Sequence, residues 1–130
     1  MNINSAIIHG AKVLKGNFIK NPYLDSEILM AKAIEKDRKY ILLNSKRRLE
    51  AESLNSFQKL IKKRSAGKPI AYLVNKKFFW NSEFIVSNDT LIPRPDTELI
   101  IEKVLKLTAY KKKLNMLEIG VGSGLSLIHI

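Results

Sequence analysis

The stretch "MLEIGVGSGLSLIHI", residues 116–130, decides the fold class. Its first four residues read as a short apolar strand, and glycine then alternates at Gly120, Gly122 and Gly124. Glycine admits φ > 0 and has no Cβ, so the chain can turn sharply there and a ligand can approach the peptide plane. Spacing separates the known uses of such a turn. A phosphate-binding P-loop requires Gly-Lys followed by Ser or Thr, and no Gly-Lys follows here. A dinucleotide fingerprint would place Leu125 where a small residue is needed for close helix–strand packing. What remains is an acidic residue, Glu118, two positions before G-x-G-x-G, against the plainer reading of a structural turn with three glycines.

Composition bounds the rest. At 130 residues and 45% hydrophobic content, the chain suits one domain, or one small domain plus part of another. It has no cysteine, which excludes a disulfide framework and the usual zinc ribbons. The N-terminus lacks a signal-peptide pattern, and no apolar run reaches membrane-spanning length, so a soluble cytoplasmic protein is expected. His9 and His129 have no ligand-spaced partners, and no metal is expected. The net charge of +11 favours acidic partners, RNA among them. The basic runs at 46–48, 62–64 and 111–113 lack interleaved aromatics, however, and equally suit solvated helix ends.

The first seventy residues read as helical. Ile3, Ile7, Leu14 and Phe18 recur near helical spacing, with Asn4 or Ser5 as caps. Pro22 opens a second helix whose expected face is Leu24, Ile28, Ala31 and Ile34. A short third piece covers residues 38–45. A fourth helix over about 49–65 is expected to bury Leu54, Phe57 and Ile61 and to stop at Gly67. Such narrow stripes enclose a core only as an antiparallel bundle.

After Pro69 the pattern alternates aromatic and polar residues. Strands at 76–80 and 83–86 are expected to pair across Asn81-Ser82, with Phe78, Trp80 and Phe84 turned inward to pack the hairpin onto the bundle. Pro93 and Pro95 mark a boundary. A helix capped by Asp96 or Thr97 follows, with Ile100, Ile101, Val104 and Leu105 on its apolar side.

The loop at 118–124 resembles the first motif of class I methyltransferases, which bind S-adenosylmethionine. The linker before it narrows the resemblance. Arg64, Gly67, Pro69, Ile70 and Tyr72 are followed by Phe79, Phe84 and Val86. The run Leu91, Ile92, Pro93, Arg94, Pro95, Asp96, Thr97 and Glu98 completes the set. Together they resemble the bacterial release factor glutamine methyltransferases, the PrmC/HemK family, over essentially the whole chain to Gly124.

The resemblance implies a helical bundle over 1–72 that recognises substrate, a β-hairpin linker over 73–95, and the truncated start of a Rossmann-like methyltransferase domain over 96–130. It implies S-adenosylmethionine as cofactor, held by Gly120, Val121, Gly122, Ser123 and Gly124. Arg94, Thr97 and Glu98 would lie near the cofactor and substrate cleft, unless Thr97 and Glu98 only start a helix. The implied reaction is methylation of the side-chain amide of the glutamine in the Gly-Gly-Gln motif of peptide chain release factors.

The family's Asn-Pro-Pro-Tyr loop, which orients that amide, is absent, so no catalytic residue is assigned and the chain alone is expected to be inactive. The Asn-Pro-Tyr at 21–23 lacks the second proline and reads as a helix entrance. Asn75 stands where the family has glycine, and residues 125–130 depart from the family's helix, which points to a truncation or a foreign junction. Residues from about 96 onward are expected to be poorly anchored, because a lone "MLEI" strand with two open edges is unstable. Two rivals remain: a glutamine methyltransferase acting on a ribosomal protein, disfavoured by Pro-Arg-Pro-Asp-Thr-Glu, and a non-catalytic basic module binding RNA or the ribosome.

Overall fold

The computed structural model describes residues 1–130, in two compact units, Met1–Val74 and Asn75–Ile130. The first unit is all helical: α1 (Ile3–Gly16), α2 (Pro22–Ala33), α3 (Arg38–Leu43), α4 (Ala51–Ser65) and the short α5 (Ile70–Val74). The second holds β1 (Lys76–Phe79), β2 (Ser82–Ile85), α6 (Pro95–Thr108) and α7 (Leu125–Ile128). No helix is long and apolar enough to cross a membrane.

In the helical unit, α1 begins earlier than its expected caps. Asn2 is the N-cap, and its side chain accepts the Ser5 N–H at 2.8 Å. Ile3, Ala6, Ile7, Gly10 and Leu14 then face inward. Phe18, expected on the same face, instead lies just past the helix end at φ 59 and is 96% exposed. It closes the helix: its N–H donates to the Lys15 carbonyl, and the Ile19 N–H donates to that of Leu14. The same pair of reversed bonds ends α2 at Glu35 (φ 53) and α4 at Gly67 (φ 94). Only the third of these left-handed positions carries the glycine that the geometry favours.

The expected face of α2 is corrected in part: Ala31 and Ile34 pack half-buried against the core as expected, but its most buried positions are others. Asp25, Ser26, Glu27, Leu29 and Met30 are buried, whereas Leu24 is 40% exposed. The reason is that this face is polar but fully paired. The Ser26 hydroxyl donates to the Ile7 carbonyl of α1 at 2.8 Å. Asp25 takes the Arg64 Nε–H of α4 at 2.7 Å, and Glu27 takes a guanidinium N–H of Arg38 at 2.6 Å. Hydrophobic periodicity cannot find a helix that hides its carboxylates behind arginines. Gly10 makes the packing possible, because a Cβ there would lie 2.7 Å from both the Phe57 ring and Ser26 Oγ. Phe57 and Ile61 are buried as expected, and Leu54 packs at the edge of the core.

In the second unit, the antiparallel hairpin pairs Phe79 with Ser82, so the turn residues are Trp80-Asn81 rather than Asn81-Ser82. Trp80 takes φ 54, a position where hairpin turns usually place glycine. Moving the turn by one residue changes each cross-strand partner by two positions and leaves the two faces composed of the same residues. The inward face is the opposite one from that expected: Phe79 is buried, and Phe78, expected inward, is 68% exposed. Phe84 meets Phe79 edge-on, with ring centroids 6.5 Å apart. Asn75, just before β1, adopts φ 60, the left-handed conformation that asparagine tolerates. α6 starts at Pro95 behind Arg94, so neither Asp96 nor Thr97 is its cap. Ile101 is its buried residue, while Ile100 faces solvent. Residues 116–119 join no sheet, and the hairpin is the sheet present. Leu117 and Ile119 are exposed, as suits a strand sequence with no neighbouring strand to pair with.

Candidate cofactor loop

The glycine loop has the backbone its composition requires. Gly120, Gly122 and Gly124 take φ values of 74, 57 and 75. Three left-handed residues within five positions would each cost an L side chain about 1–2 kcal/mol, which accounts for the alternation. A Cβ at any of the three would meet nothing within 4 Å. Conformation therefore demands glycine here, and the peptide planes border open space. Val121 and Ser123 lie between them, also exposed. The Gly124 N–H donates to the Val121 carbonyl at 2.9 Å, which closes the loop onto itself, and α7 begins directly after.

One residue gains significance from the structure. In the sequence Glu118 is only the acidic mark of the motif, yet its Oε2 is buried without a hydrogen-bond partner. Buried polar atoms are nearly always satisfied, and this oxygen at the foot of the glycine loop, like Nε2 of His129, is an exception. The motif spacing is the signal that points to it.

The linker residues are placed as follows. Arg94 is exposed and precedes α6 as its N-cap without a side-chain cap bond. The Thr97 N–H donates to the Arg94 carbonyl at 3.1 Å. Glu98 reaches back to the hairpin, where its Oε1 accepts the Trp80 N–H at 2.7 Å. Glu98 thus ties α6 to the turn, and Asp96 and Glu98 lie at the end of the helix where negative charge is favoured. His129, which has no partner in the sequence pattern, lies against Phe79, Trp80 and Phe84 at 5.8–6.4 Å between ring centroids. No group of three His, Asp or Glu side chains is gathered to hold a metal.

Comparison with known proteins gives the chain its family. A family profile described as the PrmC N-terminal domain matches residues 5–74. The release factor glutamine methyltransferase of Buchnera aphidicola subsp. Schizaphis graminum is 39% identical over 124 residues, covering 95% of this chain and 44% of that protein. Its counterpart from Buchnera aphidicola subsp. Baizongia pistaciae is 39% identical over 104 residues, covering 80% and 38%. That of Shewanella oneidensis is 35% identical over 105 residues, covering 81% and 36%. The chain spans less than half the length of these relatives. The chain belongs to the release factor glutamine methyltransferase family, with the PrmC N-terminal domain at residues 5–74.

Proposed function

We propose that this chain is the N-terminal part of an enzyme that methylates the glutamine amide of the Gly-Gly-Gln motif in peptide chain release factors, with S-adenosylmethionine as donor. The observation that carries the reading is the pairing of three left-handed glycines with the orphaned Glu118 carboxylate, in a chain 39% identical to a release factor glutamine methyltransferase. The residues fit the cofactor: it carries no phosphate, and this loop has no lysine to meet one. The cofactor supplies an electrophilic methyl group on a sulfonium. The peptide planes of residues 120–124 would border its amino-acid and ribose portions, and Glu118 would accept hydrogen bonds from its donor groups. Arg94, Thr97 and Glu98 would line the approach to the cleft.

A side-chain amide nitrogen is a poor nucleophile, because its lone pair is delocalised into the carbonyl. Catalysis must therefore come from orientation and from acceptors aimed at the NH₂. No Asn-Pro-Pro-Tyr acceptor loop lies in residues 1–130, so this stretch assayed alone is expected to give no turnover. The helical unit is assigned the docking of the release factor, in the cytoplasm. The test is to express the encoding gene through to its stop codon and incubate the product with release factor and methyl-labelled cofactor. Label on the Gly-Gly-Gln glutamine supports the reading. Label on a ribosomal protein transfers the chain to that rival activity, and turnover by residues 1–130 alone contradicts the division of labour.

A further inference from the structure

The positive charge is not spread evenly. Residues 1–74 hold fifteen Lys and Arg against six Asp and Glu, a surplus of nine out of the chain's eleven. Two of those arginines, Arg38 and Arg64, are neutralised by Glu27 and Asp25. Three other cations, Lys36, Arg47 and Arg48, converge on one depression of about 190 Å³, whose lining also includes Tyr40, Glu50, Ser53 and an apolar floor. The Arg47 guanidinium donates to the Tyr40 hydroxyl, and the Lys36 ammonium lies 5.9 Å from the centroid of the same ring. None of the three is paired with a carboxylate. Asp37 is occupied in capping α3 through the Tyr40 N–H at 2.7 Å, and Glu50 is exposed and makes no ion pair.

The depression also adjoins the start of the 15-residue α4. Glu50 is the N-cap and provides no side-chain cap bond, so the first backbone N–H groups of that helix lack a side-chain acceptor. Three cations against the one carboxylate of Glu50, beside an uncapped helix start, leave the depression net positive and suited to an anion. Its volume lies below the roughly 300–1,000 Å³ of sites for whole small molecules, so it suits a single small group. Guanidinium forks match the oxygens of a phosphate, and the surplus over the rest of the unit suits a polymer of phosphates. We propose that this pocket seats a backbone phosphate of RNA.

Fluorescence anisotropy of a labelled single-stranded RNA with the 130-residue chain tests this. Arg48→Gln leaves the Arg47–Tyr40 bond intact, and the Arg47→Gln/Arg48→Gln double variant removes both forks. Lys62→Gln/Lys63→Gln, at the far end of α4, removes the same charge as the double variant elsewhere, and circular dichroism checks that each variant is folded. Arg48→Gln is expected to weaken binding several-fold and the double variant at least tenfold. The dependence of log affinity on log salt should become shallower by about 0.7 for each phosphate that is no longer neutralised. The Lys62/Lys63 pair should have a small effect, and inorganic phosphate should compete. Equal weakening by both double variants would reduce the pocket to diffuse charge and overturn the proposal. So would absence of RNA binding, or displacement of RNA by an acidic peptide as effectively as by phosphate.

Discussion

The Glu98 carboxylate accepts the Trp80 backbone N–H at 2.7 Å, linking the first turn of α6 to the left-handed corner of the hairpin across eighteen residues of sequence. A corner residue with φ 54 and a bulky side chain is strained, and a charged acceptor on its N–H is one contact that holds it. Removing the acceptor in Glu98→Ala should cost the turn about 1.5–3 kcal/mol. Amide exchange at Trp80 should then accelerate by about tenfold or more. Glu98→Gln, which keeps a neutral acceptor, should recover part of the protection. An unchanged Trp80 exchange rate in Glu98→Ala would show that the bond does not support the corner.

Gly10 lies inside α1, where alanine is normally the better helix former by up to about 1 kcal/mol. The packing reverses that preference. An added Cβ would sit 2.7 Å from the Phe57 ring and 2.9 Å from Ile61 Cδ1, both core side chains with little room to move. Gly10→Ala is expected to lower unfolding free energy by about 1–3 kcal/mol in urea titrations. A stabilised variant would mean that α1 and α4 separate more easily than this contact implies.

The Asp25–Arg64 pair joins α2 to α4, with side-chain exposures of 9% and 19%. The Arg64 guanidinium also donates to the Lys68 carbonyl at 3.0 Å, holding the end of α4. Truncation to Asp25→Ala leaves a largely buried cation unpaired, and the destabilisation should fall at the lower end of about 3–5 kcal/mol, because Arg64 keeps some solvent. The double variant Asp25→Leu/Arg64→Met should be more stable than Asp25→Ala alone. Simple additivity of the two substitutions would refute a coupled pair.

At Glu35 the chain adopts φ 53 to end α2, with an exposed side chain. A left-handed L residue costs about 1–2 kcal/mol, and glycine there would remove that strain while adding entropy to the unfolded chain. Glu35→Gly should therefore stabilise the fold modestly, by a few tenths to about 1 kcal/mol, and raise the melting temperature. A lower melting temperature would show that the glutamate side chain contributes more than its backbone strain costs.

Glu102 on α6 receives a hydrogen bond from Lys106, one turn on, at 2.5 Å. That bond, and then the lysine's charge, hold its carboxyl below the usual glutamate value. The folded form thus binds the proton less readily than the unfolded form. The contribution is present above the ordinary glutamate range and is lost as pH falls through the folded value. Because the pair is solvent-exposed, the effect on stability is small. A carboxyl NMR titration should show Glu102 moving back up toward the ordinary value in Lys106→Met.

Much of the helical unit is legible in the sequence, since Pro22, Phe57, Ile61 and Gly67 each act through local chemistry or simple periodicity. The face of α2 is not. Asp25 and Glu27 are acceptable inside only because Arg64 and Arg38, thirty-nine and eleven residues away, arrive beside them. The hairpin turn lies one residue earlier than expected, which changes each cross-strand partner by two, because Trp80 occupies a corner where composition favours Asn81. The glycine loop is the reverse case: its spacing announces the backbone that Gly120, Gly122 and Gly124 adopt, while the buried, unpaired oxygen of Glu118 emerges only in three dimensions.

By itself the sequence determined the family and the positions where the chain must turn left-handed at glycine, because φ preferences and motif spacing are properties of neighbouring residues. The tertiary structure alone decided which charges are buried and paired, which aromatic of Phe78 and Phe79 turns inward, and that Lys36, Arg47 and Arg48 line one depression beside Tyr40. Those outcomes depend on residues brought together from distant parts of the chain, and local propensity carries no record of such meetings.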